Sequence, residues 1–534
     1  MKEILDWSIM IYFGGDNNLS EEMIWAIKDI QSWRRSQSPG PRKVKVSILF
    51  DAGGPPVPID DDELLTRDAR AVTSEKLSAA AEAYGAIDGD TGAAAILDRT
   101  VAVREKADKK GTVSVPSVET TLRDFILRIF REQRAKHHMV VLSGHGSGAI
   151  GDFLTSAKRI SGLTIPGLGK ALNAVKTEYG TEKPKPIDIL GMDACQMSMA
   201  EVASEVQESV QFMIGSEGFQ PNTGWPYQDV LNLLGTPAIA RKPEEFAEAI
   251  VRTHVGYYLD YASADLSTDI SVLNLDLFHK LQTALKEFTD ALDIQPQTPE
   301  EWKSDGKLSA MDLSKKLDSS DGTRQLRDPQ LFAAIVLSRW QAQGYKKEYY
   351  TDLWDFCNLL SERLKPWKDS KYKKLYVACE QIKEAIDPDK PVVKAERLVR
   401  ISGYSGPQFQ HSHGISVFFP WASLMDAAGT TDIRYYQTLK FAGSTAWDEF
   451  IRLYNFVTQR EVREKDTTGN KLPSLLNRRT GLFFPQSGRD PEVATADKTT
   501  LGTAKIESMK NPPIEWKKWS GQTAEEQVNT KTAQ

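Results

Sequence analysis

Short apolar runs alternate with longer segments of helical period along the first half of the chain. The apolar runs are bounded by turn residues and occupy residues 8–13, 44–50, 138–142, 187–191 and 210–214. Between them, residues 20–33 and 121–134 repeat apolar side chains every three or four positions. Buried parallel strands are typically continuous apolar runs, and a helix that packs on a sheet carries an apolar stripe at this spacing. The pattern predicts an α/β fold with a mostly parallel central sheet and helices on both faces.

The second half of the chain is less regular. We predict helices, strands and an irregular segment there in the order helix 242–261, strand 269–273, helix 276–292, linker or surface loop 300–327, helices through 329–386, strands near 397–401 and 414–419, and helix 446–459. Residues 53–115 break the rhythm with prolines, an acidic run and an Ala-rich stretch, which favours an insertion or flexible excursion. These observations predict a core over residues 1–240, helices with added strands over 241–459, and a polar tail over 460–534 that is disordered or an extended arm.

Composition excludes several classes of protein. The chain has 534 residues and a formal net charge of −6, without a long Lys/Arg run, which argues against broad binding to nucleic acid or anionic membrane. No segment reaches the roughly 18 consecutive apolar residues of a membrane span, and the N-terminal apolar stretch lacks the features of a signal peptide. Three cysteines cannot form a disulfide framework and suit a reducing compartment or one reactive thiol. We therefore expect a cytoplasmic protein, or a secreted one if a leader has been removed.

Two polar motifs directly follow predicted strands. VLSGHGSG contains His145, and ILGMDACQMS contains Cys195. Because the carboxyl ends of parallel strands gather at one edge of a sheet, the two loops are expected to face each other there. Taken alone, Cys195 could be a buried inert thiol and His145 could cap a turn. Their matched positions after two strands instead predict a nucleophile and its proton-transfer partner.

The glycines around His145 add to this prediction. Gly144, Gly146 and Gly148 leave the backbone beside the histidine uncovered, so a substrate carbonyl could approach. The main-chain N–H groups of Gly146 and Cys195 are the candidate oxyanion hole. The Ser198-x-x-Glu201 pattern is typical of a capping box and predicts a helix that begins just after Cys195, where the helix dipole would favour the thiolate.

Six sequence blocks together carry a resemblance to a known family. They are WSIMIYFGGDNNLS, VLSGHGSG, ILGMDACQMSMAEV, MIGSEGFQPNTGWPY, HGISVFFP and STAWDEFIRLY. In this order they resemble the clostripain family of cysteine peptidases, in the caspase-like clan, over about residues 5–457. The resemblance implies a caspase-like three-layer α/β/α sandwich with C-terminal helical additions, whose catalytic core is residues 1–240. It also implies a cysteine endopeptidase that uses a His145–Cys195 dyad and a thioester intermediate to cleave protein or peptide substrates after arginine or lysine.

Substrate recognition is predicted from the same resemblance. In the family, the acidic residue two positions before the nucleophile is linked to a basic substrate side chain, and here it is Asp193. Alternatively, Asp193 bonds backbone N–H groups at its turn. The loop with Ser216 and Glu217 follows a predicted strand and is either one wall of the substrate site or an ordinary loop.

The chain departs from the family pattern at two positions. Ala149 and Pro226 stand where relatives often carry a tryptophan and an acid, which leaves the preference between arginine and lysine open. No third catalytic residue is legible, since Asp152 could orient the imidazole but is typical of a turn residue that bonds its own backbone.

The sequence also leads to expectations about maturation and about cofactors. Relatives often mature by internal cleavage, and Lys158-Arg159 is a candidate processing site, unless it is simply surface charge. The sequence requires no cofactor and shows no metal-ligand spacing; calcium binding stays open, without a site that can be placed.

Two rival functions stay open beside the active endopeptidase. One is a latent protease in a signalling or defence cascade that an activating protein switches on. The other is a caspase-like scaffold that binds a partner without turnover.

Overall fold

The chain divides into two compact units, each described here by itself. The computed structural model describes residues 4–15, 19–37, 43–51, 57–61, 117–150, 153–154, 162–264, 266–345, 349–387, 397–421 and 435–467. The first unit comprises Met1–Ser198, Glu205–Asp260 and Thr268–Leu275, and the second comprises Met199–Ser204, Tyr261–Ser267 and Asp276–Gln534.

A mostly parallel sheet forms the centre of the first unit. Its strands are β1 (Leu5–Gly14), β2 (Val44–Asp51), β3 (Val57–Ile59), β4 (Ala135–Ser143), β5 (Ile187–Asp193), β6 (Val210–Gly215) and β7 (Thr268–Asn274). They run in the order β7-β6-β5-β4-β1-β2-β3. Neighbouring strands from β2 to β6 are parallel, whereas β3 pairs antiparallel with β2 and β7 pairs antiparallel with β6. The strand positions predicted from the apolar runs are confirmed.

Helices connect these strands. They are α1 (Ser20–Ser36), α2 (Val118–Glu132), α3 (Ile165–Tyr179), α4 (Ala200–Val206), α5 (Tyr227–Asn232), α6 (Pro237–Ala240) and α7 (Pro243–Tyr258), and the boundary between the units passes through α4.

Two consecutive histidines of β4 show that helices cover both faces of the sheet. Successive side chains of a strand point to opposite faces. The His137 ring lies 4.9 Å from that of Trp7, which in turn lies 5.0 Å from Phe246 of α7. The His138 ring stacks at 4.0 Å on Phe130 of α2. The helices α7 and α2 therefore lie on opposite faces, and the predicted caspase-like three-layer α/β/α sandwich is confirmed.

The second unit is mainly helical. Its helices are α8 (Phe278–Asp290), α9 (Pro299–Asp305), α10 (Ala310–Asp318), α11 (Asp321–Leu326), α12 (Pro329–Gln341), α13 (Leu353–Leu364), α14 (Lys373–Ile386), α15 (Lys440–Thr445) and α16 (Trp447–Thr467), and its strands are β8 (Gly344–Tyr345), β9 (Tyr350–Asp352), β10 (Val399–Ser405) and β11 (Ser416–Phe418). The strands β11, β9 and β8 form a small antiparallel sheet. Four aromatic rings pack together in the core, those of Phe288, Phe419, Trp447 and Phe450.

Three predictions for this unit were wrong in detail. Residues 300–327 are not a linker but contain α9, α10 and α11, whose first turns are capped by the side chains of Thr298, Ser309 and Ser320. The helical stretch predicted over 329–386 is interrupted by β8 and β9. The last helix does not end at residue 459 but continues to Thr467. Short helices with few buried side chains have too weak a periodicity to be predicted from sequence.

The predicted insertion and tail fall mostly outside the described residues. Of residues 53–115 only 57–61 are described, and they include β3; of the tail only the end of α16 is described. No helix within the described residues combines the length and apolar character that a transmembrane segment requires.

Candidate active site

The His145 and Cys195 loops meet at the carboxyl edge of the sheet. The last residue of β4, Ser143, is in register with the last residue of β5, Asp193. One residue further, the Gly144 N–H donates to the Asp193 carbonyl at 3.2 Å. Because the two adjacent strands end side by side, the loops that leave them are brought together.

Gly146 is where the two loops touch. A Cβ atom added at this position would lie 1.9 Å from the Cys195 carbonyl oxygen and 2.8 Å from its backbone nitrogen. Only glycine allows so close an approach of one backbone to another. The residue directly after His145 therefore lies against the backbone of Cys195, as the two motifs predicted.

The Cys195 thiol is half-buried and bonded to a third loop. Its Sγ accepts a hydrogen bond from the Gln220 N–H at 3.3 Å and donates to the Gln220 carbonyl at 3.8 Å. Burial raises the pKa of the Cys195 thiol, an effect that the Gln220 N–H opposes in part and the nearby Asp193 and Asp269 carboxylates reinforce. The resting thiol is therefore protonated at neutral pH.

This corrects the prediction that a capped helix start favours the thiolate. The helix α4 begins only at Ala200. The Ser198 hydroxyl pairs instead with that of Ser271 at 2.9 Å, and the Glu201 carboxylate accepts from the Phe418 N–H at 2.8 Å and from the Tyr436 hydroxyl at 2.7 Å. Both side chains of the predicted capping box therefore form hydrogen bonds inside the protein. The sequence spacing alone does not reveal this.

His145 is half-buried and lines the same cleft as Cys195. Burial lowers the pKa of its imidazole, because desolvation disfavours the charged form. A neutral imidazole beside a neutral thiol can accept the thiol proton, whereas an imidazolium could not.

The backbone after Cys195 is bent sharply and held in place. Gln196 has a φ of 60°, a left-handed conformation that is uncommon for a residue other than glycine. Its N–H donates to the Gly218 carbonyl at 2.8 Å, and the Ser198 N–H donates to the Ser216 carbonyl at 2.8 Å. The nucleophile loop is therefore fastened to the loop that follows β6.

Asp269, at the start of β7, anchors that second loop and was not recognised in the sequence. Its two carboxylate oxygens accept the N–H groups of Glu217 and Gly218, each at 2.8 Å. Its carbonyl accepts from the side-chain amide of Gln220 at 2.9 Å. Because Gln220 binds the thiol, Asp269 positions a neighbour of the nucleophile without itself reaching it. Nothing local in the sequence marks this role, since its partners lie some fifty positions earlier.

The N–H groups predicted to form the oxyanion hole are not occupied by other described residues. Within the described residues, the N–H groups of Gly146 and Cys195 donate no hydrogen bond to another residue. Backbone N–H groups beside a nucleophile that are not used by other residues are what an oxyanion hole needs.

Asp193 is buried next to the nucleophile in a polar network. Its Oδ2 accepts from the hydroxyls of Ser143 and Tyr227, each at 2.9 Å. The other oxygen, Oδ1, is buried and has no hydrogen-bond partner among the described residues. Burial raises the pKa of Asp193 to about 6, although the hydrogen bonds from Tyr227 and Ser143 and the nearby backbone N–H of Trp225 lower it in part. The backbone of Gly224 packs closely against this carboxylate, since a Cβ atom added there would lie 2.6 Å from Oδ2.

A cleft joins these features. It is lined by one side of α1, by residues 143–145 and 193–195, and by residues 220–224. Ser216 and Glu217, predicted to contact substrate, are fully buried, and neither belongs to the described lining of the cleft. The wall expected from their loop is formed by the residues that follow them in sequence.

Several remaining predictions cannot be placed. Lys158, Arg159 and Asp152 lie outside the described residues. In the part of the chain that the structure describes, no three His, Cys, Asp or Glu side chains are grouped so that they could hold a metal ion.

Comparison with known proteins gives a family. A model of the clostripain family matches residues 11–454. No curated protein matched the sequence. The solved structures that match this chain include a secreted C11 cysteine protease from Bacteroides thetaiotaomicron in complex with an irreversible peptide inhibitor, with 15% identity, a TM-score of 0.47, and coverage of 83% of this chain and 99% of that chain. An inactive zymogen C11 protease from Parabacteroides distasonis shows 16% identity, a TM-score of 0.45, and coverage of 83% and 99%.

Proposed function

The chain belongs to the clostripain family, whose members are cysteine endopeptidases acting on proteins or peptides, and we propose that it cleaves after arginine or lysine with His145 and Cys195 as its catalytic pair. One observation carries the proposal. A single cleft holds His145, Cys195 and a buried carboxylate, that of Asp193, one of whose oxygens has no partner in the described residues. A nucleophile, a base and an acceptor for a cation thus line one cleft.

The reaction begins with both catalytic groups neutral. The Cys195 Sγ attacks the scissile carbonyl as its proton passes to the His145 imidazole, and the carbonyl oxygen takes up negative charge. The N–H groups of Gly146 and Cys195 stabilise that charge. Proton transfer at the moment of attack suits a thiol whose pKa is raised and an imidazole whose pKa is lowered.

The imidazolium then protonates the departing amine. The C–N bond breaks and leaves a thioester between the substrate acyl group and Cys195. His145, neutral again, removes a proton from a water molecule that attacks the thioester, which releases the acid product and restores the thiol.

Specificity comes from Asp193. The unpartnered Oδ1 of a buried carboxylate is a strong acceptor for a guanidinium or ammonium group, and a neutral side chain would leave it unpaired. The hydrogen bonds from Ser143 and Tyr227 hold the carboxylate in one orientation. A basic residue before the scissile bond is therefore favoured over a neutral or acidic one.

A second candidate is a latent form of the same protease that requires activation by self-cleavage or by another protein. The observation that favours it is the engagement of the Cys195 thiol with Gln220, whose carbonyl accepts from Sγ and whose N–H donates to it, while burial raises the pKa of the thiol. Activation would then consist of moving residues 220–224.

A panel of fluorogenic peptides that differ only in the residue before the leaving group tests the proposal. Wild type is expected to hydrolyse the arginine and lysine peptides and to leave the aspartate and leucine peptides nearly untouched, whereas Cys195→Ala hydrolyses none. Turnover of the aspartate peptide alone would end the basic-specificity proposal. Absence of any thiol-dependent turnover, even after limited proteolysis, would favour a scaffold.

A further inference from the structure

One side of α1, made of residues spaced about one helical turn apart, forms a wall of the cleft. The cleft lining that includes residues 193–195 also includes Leu19, just before the helix, and Glu22, Met23 and Ala26 within it. Leu19, Met23 and Ala26 are buried and apolar. Glu22 is therefore the one charged side chain that α1 presents to the described lining.

The Glu22 carboxylate is incompletely satisfied. Its Oε2 atom is buried and makes no hydrogen bond within the described residues. Glu22 lies in the first turn of α1, where the helix dipole favours an acid, but an exposed carboxylate would gain that stabilisation without desolvation. A buried oxygen without a donor among the described residues, beside an apolar stripe, can accept a hydrogen bond from a donor that enters the cleft.

Asp193 alone cannot satisfy a basic side chain. One of its oxygens already accepts two hydroxyls, so it offers a single acceptor atom. An ammonium has three N–H donors and a guanidinium has five in a planar fork. Buried donors without acceptors cost free energy, so a cation held by Asp193 alone would bind poorly.

We propose that Glu22 is the second carboxylate of the substrate pocket and that, together with Asp193, it selects arginine over lysine. The inference rests on the proposed function and extends it to a residue outside the catalytic motifs. The two carboxylates come from different elements, α1 and the end of β5, and both line the cleft. A guanidinium fork presents its donors at separate edges and can bridge two carboxylates, whereas the ammonium donors radiate from one atom.

The test compares Glu22→Gln with wild type on three peptides that end in arginine, lysine or citrulline before the leaving group. Citrulline has nearly the shape of arginine and no charge. For Glu22→Gln we expect kcat/KM to fall about 10- to 100-fold with arginine, by less with lysine, and not at all with citrulline. The rate at which iodoacetamide alkylates Cys195 should stay unchanged, because the dyad is intact.

Asp29→Asn is the matched control. Asp29 is exposed on the same helix and is not part of the described cleft lining, so its substitution removes one negative charge from α1 without touching the pocket. It should leave all three substrates unchanged. Glu22→Asp keeps the charge on a shorter side chain and should lie between wild type and Glu22→Gln with arginine.

Two results would overturn the inference while the proposed function stands: arginine turnover by Glu22→Gln equal to that of Asp29→Asn, or an equal fall with arginine and citrulline. A wild type that does not prefer arginine and lysine over citrulline would instead reject the basic specificity itself, and this inference with it.

Discussion

Gly146→Ala is the substitution that tests the contact between the two catalytic loops. An alanine Cβ at this position would lie 1.9 Å from the Cys195 carbonyl oxygen, whereas real contacts of this kind essentially never fall below 3.0 Å. The loops must separate by at least the difference, 1.1 Å. The obstructing atom is backbone, so no side-chain rotation can relieve the overlap.

The size of the effect follows from that displacement. A misplacement of about 1 Å at a reacting centre can cost about 100-fold in rate, or ~2.7 kcal/mol of transition-state stabilisation. The Gly146 N–H also moves away from the developing oxyanion. We therefore expect kcat/KM for an arginine peptide to fall at least about 100-fold, with kcat carrying most of the loss because ground-state binding at Asp193 is retained.

The assay is steady-state hydrolysis of a fluorogenic arginine peptide, with circular dichroism and thermal unfolding to check the fold. Gly256→Ala on α7 is the matched control, since a Cβ there meets no atom within 4 Å. It should keep wild-type kcat/KM and gain a little helix stability, about 0.5–1 kcal/mol. A folded Gly146→Ala protein with near-wild-type kcat/KM would refute the reasoning, because the two loops would then not need to touch.

Three further predictions follow from the charged groups. Burial raises the pKa of Asp193 to about 6, so below that pH the free carboxyl is neutral, and acidification through pH 6 should raise KM for arginine peptides by a larger factor than it lowers kcat. Burial raises the pKa of Glu201 from 4.5 to about 7, so the folded state holds a proton that the unfolded state releases, and the free energy of unfolding should fall by up to ~3 kcal/mol as pH rises from 4.5 through 7. Glu201→Gln cannot ionise and should lose that slope in urea unfolding measured at pH 5 and pH 8. Purified wild type should nick itself slowly, with a new N-terminus after Arg159, whereas Cys195→Ala stays intact.

Each of these has a contrary outcome. Parallel loss of kcat and of substrate affinity near pH 6 would place the titrating group in the dyad rather than in the pocket. An unchanged pH slope in Glu201→Gln would mean that Glu201 is not the residue protonated on folding. Equal fragmentation of wild type and Cys195→Ala would assign the cleavage to a contaminating protease.

The sheet was predictable from sequence because its strands are buried on both sides. Every residue of β5 is buried, and its side chains are mostly apolar, with Asp188 and Asp193 as the charged exceptions. The same reasoning located β4, and the carboxyl-edge rule then placed His145 beside Cys195. The glycine pattern added the contact at Gly146.

The helices α9 to α11 were missed because most of their residues are exposed. They bury few side chains, among them Leu317 and Leu326. A signal was nevertheless present: Thr298 and Glu301 form a true capping box at the start of α9. The similar spacing at Ser198 misled, since spacing does not reveal that Glu201 is buried against Phe418 and Tyr436.

The residues that support the site could not be identified from the sequence alone. Asp269 lies far along the chain from the loop that it anchors, and Glu22 precedes the catalytic motifs by more than a hundred positions. Neither belongs to a recognisable motif. Their roles arise only when α1 and β7 are packed beside β5 and β6, which depends on tertiary contacts rather than on local pattern.

The most direct measurement is peptide mapping of the protein after inactivation by a peptidyl chloromethyl ketone that ends in arginine. The account predicts one adduct per chain, on Cys195, with buried Cys357 and Cys379 unmodified and with much slower inactivation by the matching leucine and aspartate reagents. An adduct on another residue, or faster inactivation by the aspartate reagent, would contradict it.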